Sequence, residues 1–239
     1  MFLSASLLLA PVAQAGERNF AFSYGYGTLP QGGIEAEAYL TGKQAEGGAD
    51  SFEWEPQVEL EYGITDHLEG ALYFVTSATD SGPLTFSGYK ARLRYRFGSE
   101  GVGAVDPAIY LEYIGSPNFQ SHGLEAKLIL GKTVGRFESA LNLEYKIGFE
   151  GEEIGHEIEP TLGLGYRVKP WVTLGVEAMG EVEFEEGEMG GPFVWAGPTV
   201  HLAGKGGRLW WTLSGIVGLT EASREDHQVI VRSLVGLNL

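Results

Sequence analysis

The dominant pattern along this chain is an alternation of polar and apolar residues with a period of two. Residues 52–62, FEWEPQVELEY, show it clearly, because every second residue is Glu or Gln and the residues between them are apolar. A β-strand directs alternate side chains to opposite faces, so this segment is predicted to be one strand with a polar and an apolar face. The polar face carries Glu53, Glu55, Gln57, Glu59 and Glu61.

The same alternation recurs from residue 34 to Leu239, and short turn sequences rich in Gly, Asp, Asn and Pro separate the repeats. We expect about twelve strands in one domain, residues 34–239, because the turns are regularly spaced and no linker interrupts them. Strong alternation is found in 34–41, 52–62, 68–75, 88–98, 137–149, 157–167, 172–184 and 209–219.

The distribution of charge distinguishes a soluble β protein from a membrane barrel. In the strands given above, the apolar face carries no Asp, Glu, Lys or Arg. A sandwich could bury that face between two sheets, whereas in a membrane barrel the face contacts lipid and closure satisfies the backbone hydrogen bonds. We predict an all-β fold, a transmembrane antiparallel β-barrel of about 12 strands with short loops, in the outer membrane of a Gram-negative bacterium. A secreted sandwich is the alternative.

Aromatic residues and the end of the chain also favour the membrane barrel. Apolar-face aromatic residues lie near both sets of turns, as expected for the two girdles at the bilayer interfaces. The last strand, VIVRSLVGLNL, resembles the terminal strand of bacterial outer-membrane barrels, with Leu239 in place of the usual final Phe. If both chain ends are periplasmic, the turns at 65–67, 98–106, 134–136, 168–170 and 204–207 are periplasmic too. The loops at 42–51, 79–83, 115–120, 150–155, 185–191 and 221–226 are then external.

The N-terminal part of the chain divides into two segments. Residues 1–15, MFLSASLLLAPVAQA, are apolar and end in an A-x-A motif, so they are predicted to be a signal peptide cleaved after Ala15, although no Lys or Arg precedes the apolar run. Residues 16–33 lack the period of two. They are predicted to form either an extra strand or a segment inserted into the lumen.

The polar face is the candidate functional surface. Lys90, Arg92, Arg94 and Arg96 form a basic ladder on one strand of a chain whose formal net charge is −16. Opposite charges on the walls of a pore can set ion preference, which predicts a permeation pathway; a closed structural core of Glu–Arg pairs is the alternative. The acidic wall predicted to face the lumen is Glu35, Glu37, Glu53, Glu55, Glu59, Glu61, Glu69, Glu144, Glu157, Glu159, Glu177, Glu181 and Glu183.

Enzymatic motifs give a weaker signal than the barrel pattern. No His is followed two residues later by Ser, the spacing found in outer-membrane deacylases, and AKLILGKT (126–133) lacks the first Gly of a phosphate-binding loop. We predict no enzymatic activity, no cofactor and no resident metal. The acidic loops at 150–157 and 185–191 could bind Ca²⁺, Mg²⁺ or the cations of lipopolysaccharide, but solvated acidic loops are the favoured interpretation. The acidic composition also disfavours nucleic acid as a partner.

Two stretches carry a family resemblance. FAFSYGYGTLPQGGIEAEAYLTGK (20–43) and VELEYGITDHLEGALYF (58–74) resemble the outer-membrane transporter-like family associated with meta-pathway phenol degradation. The resemblance implies a barrel of about twelve strands that moves small molecules, with aromatic ones among the candidates, and it supplies no catalytic residues. The prediction is a passive channel for small solutes, surrounded by lipid and lipopolysaccharide, in an unspecified oligomeric state. The alternatives are a closed structural barrel and, less favoured, an outer-membrane enzyme.

Overall fold

The structure is a computed structural model that describes residues 16–44, 52–80, 82–99, 101–151, 153–185, 188–204 and 206–239. The predicted signal peptide, residues 1–15, lies outside the described residues.

Twelve β-strands and one short helix are present in the described part of the chain. Each strand pairs antiparallel with its neighbours in sequence, and β1 pairs with β12, so that the sheet closes into a barrel. The predicted 12-stranded antiparallel barrel is therefore confirmed. The strands are β1 (Ile34–Gln44), β2 (Phe52–Gly63), β3 (Leu68–Thr79), β4 (Thr85–Arg96), β5 (Asp106–Gly115), β6 (Ser121–Val134), β7 (Phe137–Glu150), β8 (Glu153–Lys169), β9 (Val172–Glu185), β10 (Glu188–Ala203), β11 (Leu209–Gly218) and β12 (Val229–Asn238).

The two faces of the barrel wall have opposite character. In β4, Arg92 and Arg94 are buried, whereas Leu93 between them is 50% exposed on the outside. Leu111, which pairs with Leu93, is likewise 54% exposed. Soluble proteins rarely expose a large continuous apolar surface, so this outer belt suits contact with lipid.

Aromatic rings border the apolar belt at both ends. At the end where β1 begins and β12 ends, here called the terminal end, the rings of Phe137 and Tyr166 pair with centroids 4.9 Å apart. At the opposite end, Phe74 and Phe86 stack with centroids 4.5 Å apart. Such girdles are typical of the two interfaces of a membrane barrel.

The connections differ from the prediction in detail. Residues 221–226, predicted to be a loop, form a short helix, α1 (Glu221–Asp226), because Thr220 and Ser223 cap its N-terminus reciprocally. The predicted loops at 150–155 and 185–191 are too long, since β8 begins at Glu153 and β10 at Glu188. No helix among the described residues combines the length and the apolar character needed to cross a bilayer.

Candidate functional site

Residues 16–33, here called the N-terminal segment, lie in the barrel lumen and contain no strand. Hydrogen bonds connect the segment to side chains from strands on all sides of the barrel. A short segment can reach all of these strands only from the inside. The partners are Tyr39 on β1, Glu69 on β3, Glu138 and Asn142 on β7, Glu177 on β9 and Thr212 on β11.

Two buried side chains make the backbone hydrogen bonds to the N-terminal segment that a neighbouring strand would otherwise make. The carboxylate of Glu177 accepts the backbone N–H groups of Ala21, Phe22 and Ser23 at 3.0, 2.8 and 3.0 Å. The amide of Asn142 accepts the N–H of Tyr24 at 2.6 Å and donates to its carbonyl oxygen at 3.0 Å. Buried backbone groups must find partners, so these two residues fix the centre of the segment in the lumen.

Glycines in the wall make room for aromatic rings of the N-terminal segment. A Cβ atom on Gly163 would lie 2.6 Å from the ring of Phe20, and one on Gly131 would overlap the ring of Tyr26. Both rings are therefore seated directly against the backbone of the wall, an approach that only glycine permits.

The basic ladder divides into three environments. Arg92 has a fully buried side chain and contacts Glu59 at 2.5 Å, Glu69 at 2.7 Å, and Glu61. Arg94 is also buried and lies 2.8 Å from Glu69. These two cations meet the carboxylates in direct contact, so this part of the lumen is a packed ionic core.

The two ends of the ladder lie outside that core. The ammonium group of Lys90 lies 3.4 Å from Glu112, and 26% of its side chain is exposed. Arg96, at the terminal end, donates to the carbonyl oxygens of Asp66 and Gly98 at 2.8 and 2.7 Å and to the hydroxyl of Thr28 at 3.3 Å. Arg96 therefore holds a turn and the N-terminal segment together.

The acidic wall falls into a buried half and a partly exposed half. Near the terminal end and around the N-terminal segment, the carboxylates are buried; these are Glu35, Glu37, Glu59, Glu61, Glu69 and Glu177. Toward the opposite end, six carboxylates are partly or largely exposed: Glu53, Glu55, Glu157, Glu159, Glu181 and Glu183. The inner half is thus a core, and the outer half is accessible to solvent.

Sequence reasoning missed one cluster at the centre of the lumen. Lys127 lies 2.7 Å from Glu144 and 3.1 Å from Glu125, and its ammonium group is 4.5 Å from the ring centroid of Tyr24 and 4.8 Å from that of Tyr110. The alternation of Lys127 with Leu128 and Leu130 indicated a strand, but a cation facing the lumen was not inferred from it.

A cavity of about 500 Å³ opens at the opposite end of the barrel, here called the mouth cavity. Lys90, Lys146 and Glu55 contribute charged groups to its wall. Ideal Cβ atoms on Gly148 and Gly155 would meet nothing within 4 Å, so the absence of side chains there keeps the cavity wide. The further lining glycines are Gly88, Gly115 and Gly123.

At the rim of the barrel near the mouth cavity, hydrogen bonds connect Asp80 to the first residues of β2. Its carboxylate accepts the indole N–H of Trp54 at 2.7 Å and the backbone N–H of Phe52 at 2.8 Å. Both hydrogen bonds lower the pKa of the Asp80 carboxyl because they stabilise its charged form, and the bond from Trp54 has the larger effect.

Two acidic groups could offer oxygen ligands to a cation. Glu35, Glu37 and Glu61 can place one oxygen each within 4.8 Å of the others, and so can Glu157, Glu159 and Glu181. Of the loops considered for cations, 150–157 and 185–191, residues 152, 186 and 187 lie outside the described residues.

Comparison with known proteins identifies the fold. A model for a family of unknown function, DUF6662, matches residues 12–129. No curated protein matches in sequence.

Solved outer-membrane barrels match in structure. An outer-membrane channel, COG4313, from Pseudomonas putida F1 superposes with a TM-score of 0.65 at 12% identity, covering 90% of this chain and 98% of its own. The NanC porin gives 0.54 at 8% identity, covering 86% and 100%. A KdgM porin in complex with disordered oligogalacturonate gives 0.54 at 11% identity, covering 86% and 99%. The fold is thus that of bacterial outer-membrane channels and porins.

Proposed function

We propose that this protein is a passive outer-membrane channel for small solutes, with the mouth cavity facing the exterior and the N-terminal segment forming the constriction. The fold shared with channels and porins supports a passive role. The apolar belt and both aromatic girdles support a position in the membrane, in contact with lipid and lipopolysaccharide.

The mouth cavity is the observation that carries the proposal. A cavity of about 500 Å³ that opens at the end of the barrel is large enough to admit a small hydrated solute. Here the wall carries charged side chains alternating with glycines, and two of those glycines face open space. This is the composition expected of a surface that a hydrated solute crosses.

The charge of the outer lumen suggests the class of solute. Lys90 and Lys146 are each paired with a carboxylate, at 3.4 and 2.9 Å respectively. The partly exposed carboxylates given above outnumber them, so the accessible surface is acidic. We infer a preference for cations and neutral molecules over anions. The resemblance of residues 20–74 to the phenol-associated transporter family supports small aromatic molecules as solutes to test.

A closed structural barrel is the second candidate, and the packed inner half favours it. The space beside the N-terminal segment is filled by Arg92, Arg94 and their carboxylate partners. The side chain of Arg92 is fully buried there and leaves no gap for solvent. In this alternative the mouth cavity ends blindly, and no solute crosses.

Liposome swelling distinguishes the two candidates. Purified barrel is reconstituted into liposomes, which are diluted into small neutral sugars and small phenols. A channel gives swelling that depends on solute size. Gly148→Trp should reduce the rate, because its side chain would extend into the mouth cavity without a clash at Cβ.

The matched control for this experiment is Leu143→Trp. Leu143 lies on the same strand but faces outward and is 47% exposed. A tryptophan there should leave swelling unchanged. Equal swelling with wild-type barrel and with empty liposomes would favour the closed barrel.

A further inference from the structure

We propose that cleavage after Ala15 creates the cation that completes the buried Glu35–Glu37–Glu61 cluster: the new α-amino group of Gly16. The cleavage site predicted from the sequence and the buried cluster found in the structure meet at one residue. This inference concerns the docking of the N-terminal segment and does not depend on solute passage.

The cluster is short of positive charge. Glu35, Glu37 and Glu61 are 0%, 1% and 1% exposed. Together with Glu59 and Glu69 they form five buried carboxylates, whereas the guanidinium groups beside them are those of Arg18, Arg92 and Arg94. A buried charge is costly unless it is paired, and the carboxylates outnumber the guanidinium groups by two, so the cluster can accommodate a further cation.

One oxygen of each carboxylate is left without a hydrogen bond. Glu35 accepts from the indole of Trp210, Glu37 from the hydroxyl of Tyr39, and Glu61 from Arg92. Among the described residues, no hydrogen bond reaches the second oxygens, Glu35 Oε2, Glu37 Oε1 and Glu61 Oε2. Arg94 approaches Glu61 Oε2 only to 3.9 Å, which is too far for a hydrogen bond. The cluster therefore contains three acceptor oxygens with unused capacity.

Gly16 lies against the Glu35 carboxylate. It is buried, and a Cβ atom on it would overlap Glu35 Oε2. The backbone nitrogen is bonded to the same Cα at about 1.5 Å, so it lies in the neighbourhood of this oxygen. The next residues hold this position: Glu17 lies 3.5 Å from His201, and Arg18 donates to Tyr39 at 2.9 Å.

Cleavage changes what the Gly16 nitrogen offers. Within an intact chain it is a neutral amide with one N–H. After hydrolysis of the Ala15–Gly16 bond it is an ammonium group with three donors and a positive charge, and the neighbouring Glu35 Oε2 has the unused capacity to accept one of those donors. A charge-assisted hydrogen bond to carboxylate is about twice as strong as a neutral one. Processing would therefore lock the N-terminal segment in the lumen.

The test is chemical labelling of the α-amino group in the full mature barrel. The protein is expressed with its own leader, and the mature N-terminus is identified by mass spectrometry. An amine-reactive ester is then applied near neutral pH to folded and urea-unfolded barrel, and modification of the Gly16 peptide is followed. We expect modification to be slower in the folded barrel by about tenfold or more, because the amine is buried and paired.

Two variants sharpen the result. Glu35→Gln should speed modification in the folded barrel, whereas the control Glu53→Gln, at an exposed position on β2, should not. Inserting one Ala between Ala15 and Gly16 keeps Gly16 in place but makes its nitrogen an amide, and should increase proteolysis of the N-terminal segment.

Three outcomes would overturn the proposal. The first is a mature chain that begins at another residue. The second is equal modification of Gly16 in folded and unfolded barrel. The third combines two results: the Gly16 amine is reactive in the folded barrel, and added Ca²⁺ stabilises the wild-type barrel but not the Glu35→Gln variant. This result would assign the cluster to a divalent cation.

Discussion

Replacing Glu177 with Ala should release the N-terminal segment from the lumen. The carboxylate is 1% exposed and accepts three consecutive backbone N–H groups, those of Ala21, Phe22 and Ser23. Alanine leaves all three donors without that acceptor. No other single side chain described here accepts as many hydrogen bonds from the segment's backbone.

The size of the effect follows from those three bonds. A hydrogen bond to a charged acceptor contributes about 1.5–3 kcal/mol, and bonds that share one carboxylate do not add fully. We take roughly 3–4 kcal/mol for the loss of all three. Because about 1.4 kcal/mol corresponds to a factor of ten, the population with a displaced segment should rise roughly a hundredfold or more.

Two measurements check this prediction. In planar bilayers, Glu177→Ala should show more frequent or larger conducting events than the wild type. Hydrogen exchange at Ala21–Ser23 should accelerate in parallel. Glu183→Ala is the matched control, since Glu183 lies on the same strand and face but is exposed near the mouth cavity. Unchanged exchange at Ala21–Ser23 in Glu177→Ala would refute the assigned role of the carboxylate.

Further predictions concern the wall and the rim. Leu93→Arg should prevent membrane assembly, measured by heat-modifiable mobility on gels, because a cation on the lipid face costs about 2–4 kcal/mol near the midplane; normal assembly would contradict the face assignment. Gly163→Leu should displace the ring of Phe20 from the wall and increase conductance. Unchanged conductance would show that the contact of this ring with Gly163 does not hold the N-terminal segment in place. Asp80→Asn should lower thermal stability at neutral pH. The folded pKa of Asp80 is depressed, so its stabilisation is present above the unfolded pKa of about 3.9 and is lost as the pH falls through the folded pKa. A difference from wild type that did not shrink as the pH was lowered below the unfolded pKa would contradict this linkage.

The strands and their faces could be predicted because one physical constraint acts on every strand. Each strand has lipid on one side and a polar lumen on the other, so polar and apolar residues must alternate, as in Arg92, Leu93 and Arg94. This alternation is visible in a single sequence. The turns were less predictable. Residues 221–226 form a helix because of the reciprocal cap between Thr220 and Ser223, a local effect that the barrel pattern does not require.

The contacts inside the lumen could not be predicted in the same way. Arg92 meets Glu59 and Glu61 of β2 and Glu69 of β3, and those contacts depend on the register that places Arg92 opposite Ala71 and Ala71 opposite Glu61. Period-two alternation gives the face of each residue but not its register. It therefore left open whether the ladder meets the carboxylates in contact or across water.

The N-terminal segment posed a different difficulty. Its backbone is held by Glu177 and Asn142, which lie more than a hundred residues away in sequence. Nothing in the two strands distinguishes these residues from other polar groups facing the lumen. The lack of alternation in residues 16–33 indicated that the segment was unusual, and only the three-dimensional contacts show where it lies.

We propose that a solute pathway runs through this barrel and that the N-terminal segment constricts it. Single-channel recording of the wild-type barrel and of a barrel lacking residues 16–33 tests it most directly. We expect small, cation-preferring conductance steps for the wild type and larger steps for the deletion. If neither protein conducts, although both are inserted and folded, the barrel is closed and no solute pathway exists.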